Sequence, residues 1–181
     1  MGLQGLQDIP DEILHKTLAF CLLVPIEDFC LFPPYRVGGK MPEEVYPRRH
    51  AYLLLVSKRF LRIGTPLLYT SLYLWSDSQA EEIAQLLRVD SYIGEAVANL
   101  RIESRAFGKG LYSVVSACPS VKTLFLDMRN VGKLERQSWG LTEVLEDGLL
   151  NPKTLYVTGI DSCRRCDHLC GVLSGWTALA S

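Results

Sequence analysis

Val97-Ala98-Asn99-Leu100-Arg101-Ile102 and Val121-Lys122-Thr123-Leu124-Phe125-Leu126 place apolar residues at the same three positions. Leu155 and Val157 repeat the last two of those positions, with Pro152 at the first, and Leu72 and Leu74 alternate in the same way. Alternation at a period of two puts every second side chain on one face of a strand. Leu72, Leu100, Leu124 and Leu155 stand 28, 24 and 31 residues apart, which is an irregular internal repeat. The segments between them change to helical spacing. Ser78-x-x-Glu81 reads as a capping box before Ile83, Ala84 and Leu87. Leu111, Val114, Val115 and Cys118 mark a second helix, ended by Pro119, and Leu141, Val144, Leu145 and Leu149 mark a third.

Short strands alternating with helices at this interval predict an α/β fold, a leucine-rich-repeat-like solenoid over residues 71–181 in which each unit buries its apolar face on the next. Roughly three and a half such units fit. The array reaches Ser181 without a polar capping repeat, as a truncated solenoid would. Trp75, Trp139 and Trp176 are expected to pack between repeats.

Residues 1–70 read differently. Asp8 is the expected N-cap of a first helix, Pro10 suits its first turn, and Asp11 and Glu12 favour the positive end of the dipole. The helix should run through His15–Val24 and stop at Pro25. Five prolines and the Gly38-Gly39 pair in residues 25–49 predict a long loop, whose acids and bases cancel. A second helix is expected over His50–Ile63, and Thr65-Pro66 should open a short third one, Pro66–Tyr69.

Composition narrows the function classes. The 181 residues are 48% hydrophobic and 22% charged, so a folded core is expected. Nineteen basic against twenty acidic side chains speak against a nucleic-acid-binding domain, which concentrates positive charge. No apolar run reaches the ~20 residues of a membrane span. Met1–Leu6 has neither the basic start of a secretory signal nor a myristoylation site. Six cysteines are too few for a disulfide scaffold. The expectation is an intracellular protein, cytoplasmic or nuclear, with reduced thiols.

The front helices carry more apolar surface than they can hide. Leu53, Val56, Phe60 and Ile63 form one row of the second helix, and Leu54 and Leu61, flanked by Leu55, form another. Leu18–Val24 leave the first helix almost no wet side. At ~25 cal/mol per Å², a few hundred exposed Å² are several kcal/mol of unrealised burial. Either the repeats cover both rows or a partner does.

Three stretches bear on that choice: Ile9-Pro10-Asp11-Glu12-Ile13-Leu14, Leu55-Val56-Ser57-Lys58-Arg59-Phe60 and Thr65-Pro66-Leu67-Leu68-Tyr69. Together they resemble the F-box motif, most closely that of the expanded F-box family of mushroom-forming fungi, in which a long loop splits the first two helices. Gln79-Ala80-Glu81, Ile93-Gly94, Leu100–Glu103 and Asn151–Leu155 resemble the repeat region of the same proteins. Ile9 stands where the family usually has Leu, Phe60 where Trp is common, and the 25–49 loop is longer than in a compact F-box.

The resemblance implies a three-helix module that docks on Skp1 and so links a client to a cullin–RING ubiquitin ligase. It implies Skp1 contacts at Ile9, Pro10, Ile13 and Leu14, and at Leu55, Val56 and Phe60 with Lys58 on the rim. It implies no catalysis and no cofactor. On the repeats, the strand-face residues Arg101, Glu103, Phe125, Asp127, Tyr156 and Thr158 are the candidates for holding the client. The competing expectation is a ligase-independent scaffolding protein whose front helices merely cap the solenoid.

Other chemistry is weakly supported. Cys163-x-x-Cys166-x-His168-x-Cys170 has zinc-like spacing, but Cys163, Cys166, Cys170 and Leu173 also share one helical face, so core packing is the expectation and no metal is assigned. Arg36–Lys40 fails as a phosphate loop, with Pro34 at the first glycine position and Met41 in place of Ser or Thr. His15, His50 and His168 belong to no nucleophile motif. Glu143, Glu146 and Asp147 read as a solvated helix face.

Overall fold

Leu100, Leu124 and Leu155 are the register partners around which the second half of the chain is built. The computed structural model describes residues 9–31, 47–103, 108–128 and 139–158. The chain divides into two compact units, Met1–Ser71 and Leu72–Ser181. Its elements, in order, are helices α1 (Asp11–Leu22) and α2 (Ile26–Leu31), a 3₁₀ helix (Pro47–Leu55), α3 (Lys58–Tyr69), β1 (Ser71–Leu74), α4 (Asp77–Val89), α5 (Ser91–Ala96), β2 (Asn99–Glu103), α6 (Lys109–Ser116), β3 (Thr123–Asp127), α7 (Trp139–Glu146) and β4 (Thr154–Thr158).

In the second unit the four strands form one sheet in the order β1-β2-β3-β4, and β2, β3 and β4 run parallel. The α/β class expected from the alternating periods is therefore observed. The ladder restarts identically in successive units. Ala98 O accepts from the Lys122 and Thr123 amides, and Lys122 O accepts in turn from those of Lys153 and Thr154. Leu100, Ile102, Leu124 and Leu126 are fully buried, as are Leu111, Val114, Leu141 and Val144 of the helices. Helix α6 packs against both α4 and α7.

Local chemistry sets the helix ends. Helix α4 is capped two residues earlier than Ser78-x-x-Glu81 predicts. Ser76 Oγ accepts from the Gln79 amide at 3.3 Å, and Gln79 reaches back so that its Oε1 accepts from the Trp75 amide at 3.0 Å. Asp77 then receives the Gly108 amide at 2.7 Å, tying the start of α4 to the approach to α6. Helix α7 ends in a Schellman turn, with Gly148 at φ 61° and the Leu149 amide donating to Val144 O. Helix α5, capped by Asp90 on the Tyr92 amide, has no counterpart in the apolar spacing read from sequence.

The first unit departs from expectation at three places. Helix α1 ends at Leu22 rather than Val24, because a residue before proline is pushed out of the helical region and Leu23 and Val24 lead into Pro25. Helix α2 lies inside the segment expected to be loop. Pro25 O accepts from the Phe29 amide at 3.0 Å, and Glu27 and Asp28 sit in the favourable first turn. Residues 32–46 lie outside the described residues, as does Asp8.

The third departure concerns the expected helix over His50–Ile63, which is two elements. The 3₁₀ helix closes at Leu55, and Ser57 caps a new helix by accepting from the Phe60 amide at 3.2 Å. Helix α3 then runs straight through Pro66, so no separate third helix begins there. The missing Pro66 amide leaves an acceptor upstream, while the Thr65 hydroxyl donates to Leu61 O at 2.7 Å.

Gly94 in α5 meets the end of α6 so closely that a Cβ there would lie 2.0 Å from the carbonyl oxygen of Ala117. Backbone cannot yield cheaply to a methyl group at that distance. Gly94→Ala should therefore lower unfolding free energy by ~2 kcal/mol or more in chemical denaturation, with the exposed neighbour Glu95→Ala near zero.

Candidate partner-binding surface

The first unit keeps a small interior. Leu14, Leu18 and Leu22, one helical turn apart on α1, pack with Leu54 and Leu67. Ile9, Ala19, Cys21, Leu53, Phe60, Ile63 and Leu68 lean on that cluster and stay partly open. Gly64 belongs to the same contact: a Cβ on it would lie 2.3 Å from a Leu54 methyl.

What does not fit inside faces outward. Ile13 and Phe20, seven residues apart, share the side of α1 away from the leucines, and they are 51% and 92% exposed. Leu55 is 84% exposed and Val56 56%, at the junction between the 3₁₀ helix and α3. Tyr52 and Leu55 are three apart, so the three-residue turn of a 3₁₀ helix stacks them on one outer side. Leu23 and Leu61 are exposed too.

The residues expected at a partner contact therefore divide. Pro10, Ile13, Leu55, Val56 and Lys58 are exposed, and Ile9 and Phe60 are half-buried beside the core. Leu14 is the correction. It is 4% exposed and belongs to the interior, because it lies one turn from Leu18 on the inward row. Phe20 and Tyr52 were not among the expected contacts. Phe20 was legible as part of the over-apolar end of the first helix, whereas Tyr52 needed knowledge of the 3₁₀ turn.

Asp11 sits at the α1 terminus, where Pro10 as N-cap supplies no side-chain hydrogen bond. Arg59 Nε donates to its Oδ1 at 2.6 Å and Arg62 Nη2 to its Oδ2 at 2.7 Å. The hydrogen bonds from Arg59 and then Arg62 hold the carboxyl below its ordinary 3.8. Burial pushes Asp77 in the opposite direction, up from 3.8.

In the second unit, the strand face expected to meet a client is largely closed. Arg101 is 0% exposed. Its guanidinium carbon lies 4.1 Å from the Phe125 ring centre and 5.6 Å from that of Tyr73, and Nη2 is 3.4 Å from Glu103 Oε1. Phe125 stacks on Tyr156 with centroids 6.4 Å apart. Because register places Arg101, Phe125 and Tyr156 side by side, the four strands carry a continuous ring–cation–ring–ring row starting from Tyr73. Arg101, Phe125 and Asp127 are thus buried rather than presented, a correction to the expected client contacts. Glu103 is half-buried, and Tyr156 and Thr158 are exposed.

Among the described residues no group of three or more His, Cys, Asp or Glu side chains could hold a metal ion, and no helix is long and apolar enough to cross a membrane. The Cys163–Cys170 run lies outside the described residues, as do Trp176 and the Trp139 side chain. Burial pushes the Cys118 thiol up to about 12, so it stays protonated at neutral pH. Comparison with protein-family models, curated proteins and solved structures returns no match for this chain.

Two measurements check this geometry. A carboxyl depressed by folding stabilises above its unfolded value of 3.8 and loses that contribution as pH falls through the lowered folded value. The gap in thermal midpoint between the native protein and Asp11→Asn should accordingly be open at about pH 7 and close by about pH 2, and the Asp77 contribution is common to both and cancels. Arg101→Ala, which leaves Glu103 and two ring faces without their cation, should cost ~3 kcal/mol in denaturant titration.

Proposed function

We propose that this protein is a non-catalytic adaptor of a cullin–RING ubiquitin ligase, binding a Skp1-like protein through its first unit and a client through its second. The observation that carries the reading is the outward apolar set Ile13, Leu55 and Val56, which lies within the stretches that resemble the F-box. A chain that buried these side chains against itself would have no need of a partner. This one leaves them in water, at a cost that docking would recover. Pro10 and Lys58 would border the contact, and Ile9 and Phe60, half-buried at its edge, would be covered further.

The repeated strand–helix units of residues 72–158 are read as a short leucine-rich-repeat-like solenoid. Its role is to hold the client beside the ligase, so that ubiquitin transfer occurs at high effective concentration. Tyr156, Thr158 and Glu103 are the strand-face positions open to such a client. The rival reading is a ligase-independent scaffold whose front helices only cap the repeats. The protein acts wherever that ligase does, in the cytoplasm or nucleus.

Calorimetric titration of the full chain with Skp1 tests the proposal. Saturable binding is expected, and Val56→Asp combined with Leu55→Asp should weaken it by at least about tenfold, since a buried unpaired charge is costly. Because both side chains lie outside the core, the thermal midpoint should hold. Absence of binding by the native chain, or binding indifferent to these changes, contradicts the proposal.

A further inference from the structure

Arg59 connects two segments that sequence keeps far apart. Its Nε donates to Asp11 Oδ1 at 2.6 Å, Nη2 lies 2.5 Å from the same oxygen, and Nη2 also donates to the backbone carbonyl of Ile9. That carbonyl lies outside the helical ladder, because the Ile13 and Leu14 amides both donate to Pro10 O. Pro10 brings no capping side chain. The entry of the chain into α1 is therefore held from α3, by Arg59 at the Ile9 carbonyl and by Arg59 and Arg62 together at Asp11.

Arg59 lies in the first turn of α3, two residues after the cap Ser57 and three after Val56. Anything it grips is within one arginine side chain of that junction. Ile9-Pro10 is consequently drawn to the place where Leu55 and Val56 stand exposed.

The geometry points to Arg59 as a positioning residue: by holding Ile9 O and Asp11 together it presents Ile9-Pro10 beside Leu55-Val56 as a single docking face. This inference rests on the adaptor reading for what docks there, but not for the placement itself. Lysine would not replace it. A lone ammonium can keep the ion pair with Asp11, but it lacks the fork that reaches the carboxylate and the carbonyl through separate nitrogens. Arg62, which takes the other Asp11 oxygen at 2.7 Å, keeps that carboxylate paired when Arg59 is changed, so the inner leucine cluster should survive.

The test uses the full chain as the native protein, Arg59→Lys and Arg59→Gln. Amide hydrogen exchange is read at Ile13 and Leu14, and at Leu67 as a reference, beside Skp1 affinity by calorimetry. In Arg59→Gln, exchange at Ile13 and Leu14 should rise by about tenfold while Leu67 is unchanged, and affinity should fall by about tenfold. Arg59→Lys should lie between the two at an unaltered thermal midpoint. Should the glutamine variant lose its cooperative melt, the lysine variant carries the same comparison. Unchanged exchange at Ile13 and Leu14 overturns the inference, as does raised exchange with unaltered affinity. Failure of the native chain to bind Skp1 refutes the adaptor reading instead, and exchange alone then decides whether Arg59 places this segment.

Discussion

A helix has one inward face, and the front unit of this protein carries apolar side chains for two. Leu14, Leu18, Leu22, Leu54 and Leu67 fill the space that α1, the 3₁₀ helix and α3 enclose between them. Once they do, α1 has no inward position left for Ile13 or Phe20, and the 3₁₀ turn has none for Tyr52 or Leu55. The outward apolar surface is a consequence of that limit. The break at Ser57 adds to it, because ending one helix and capping the next places Val56 at a corner where neither element covers it.

The second unit solves a different problem. One face of its sheet carries Leu100, Ile102, Leu124 and Leu126, all of which vanish from solvent. The opposite face holds a charge, Arg101, which could not be buried without neighbours that welcome it. Tyr73, Phe125 and Glu103 supply two ring faces and a carboxylate. The parallel register brings them within reach, so the row depends on the same pairing that aligns the leucines. A one-residue slip of β3 would set Leu124 or Leu126 beside the guanidinium in place of Phe125.

Much of this was legible in the chain. The period-two leucines named all four strands, and the helical triplets named α4, α6 and α7, because burial on one face leaves a periodic trace. The surplus at Leu55 and Val56 was visible as well. Other features leave weaker traces. A 3₁₀ helix with leucine at consecutive positions looks like an α-helix, so the break at Ser57 was hidden until its hydroxyl was seen on the Phe60 amide. Leu14 was read as outward from a motif, whereas its spacing from Leu18 and Leu22 already placed it inside. Alternation along a strand distinguishes two faces but does not say which is wet. Arg101, Phe125 and Asp127 were therefore taken for a surface they do not form. Pro25 was read only as a breaker, although a proline is equally at home where a helix begins.

An adaptor of this kind must leave Ile13, Leu55 and Val56 in water in the free protein and cover them in a complex. Hydroxyl-radical footprinting of the full chain, alone and with saturating Skp1, reads both states at those side chains. Heavy labelling alone, with protection confined to them and their neighbours on adding Skp1, is the predicted result. Protection in the free chain, or labelling that Skp1 leaves unaltered, would contradict it.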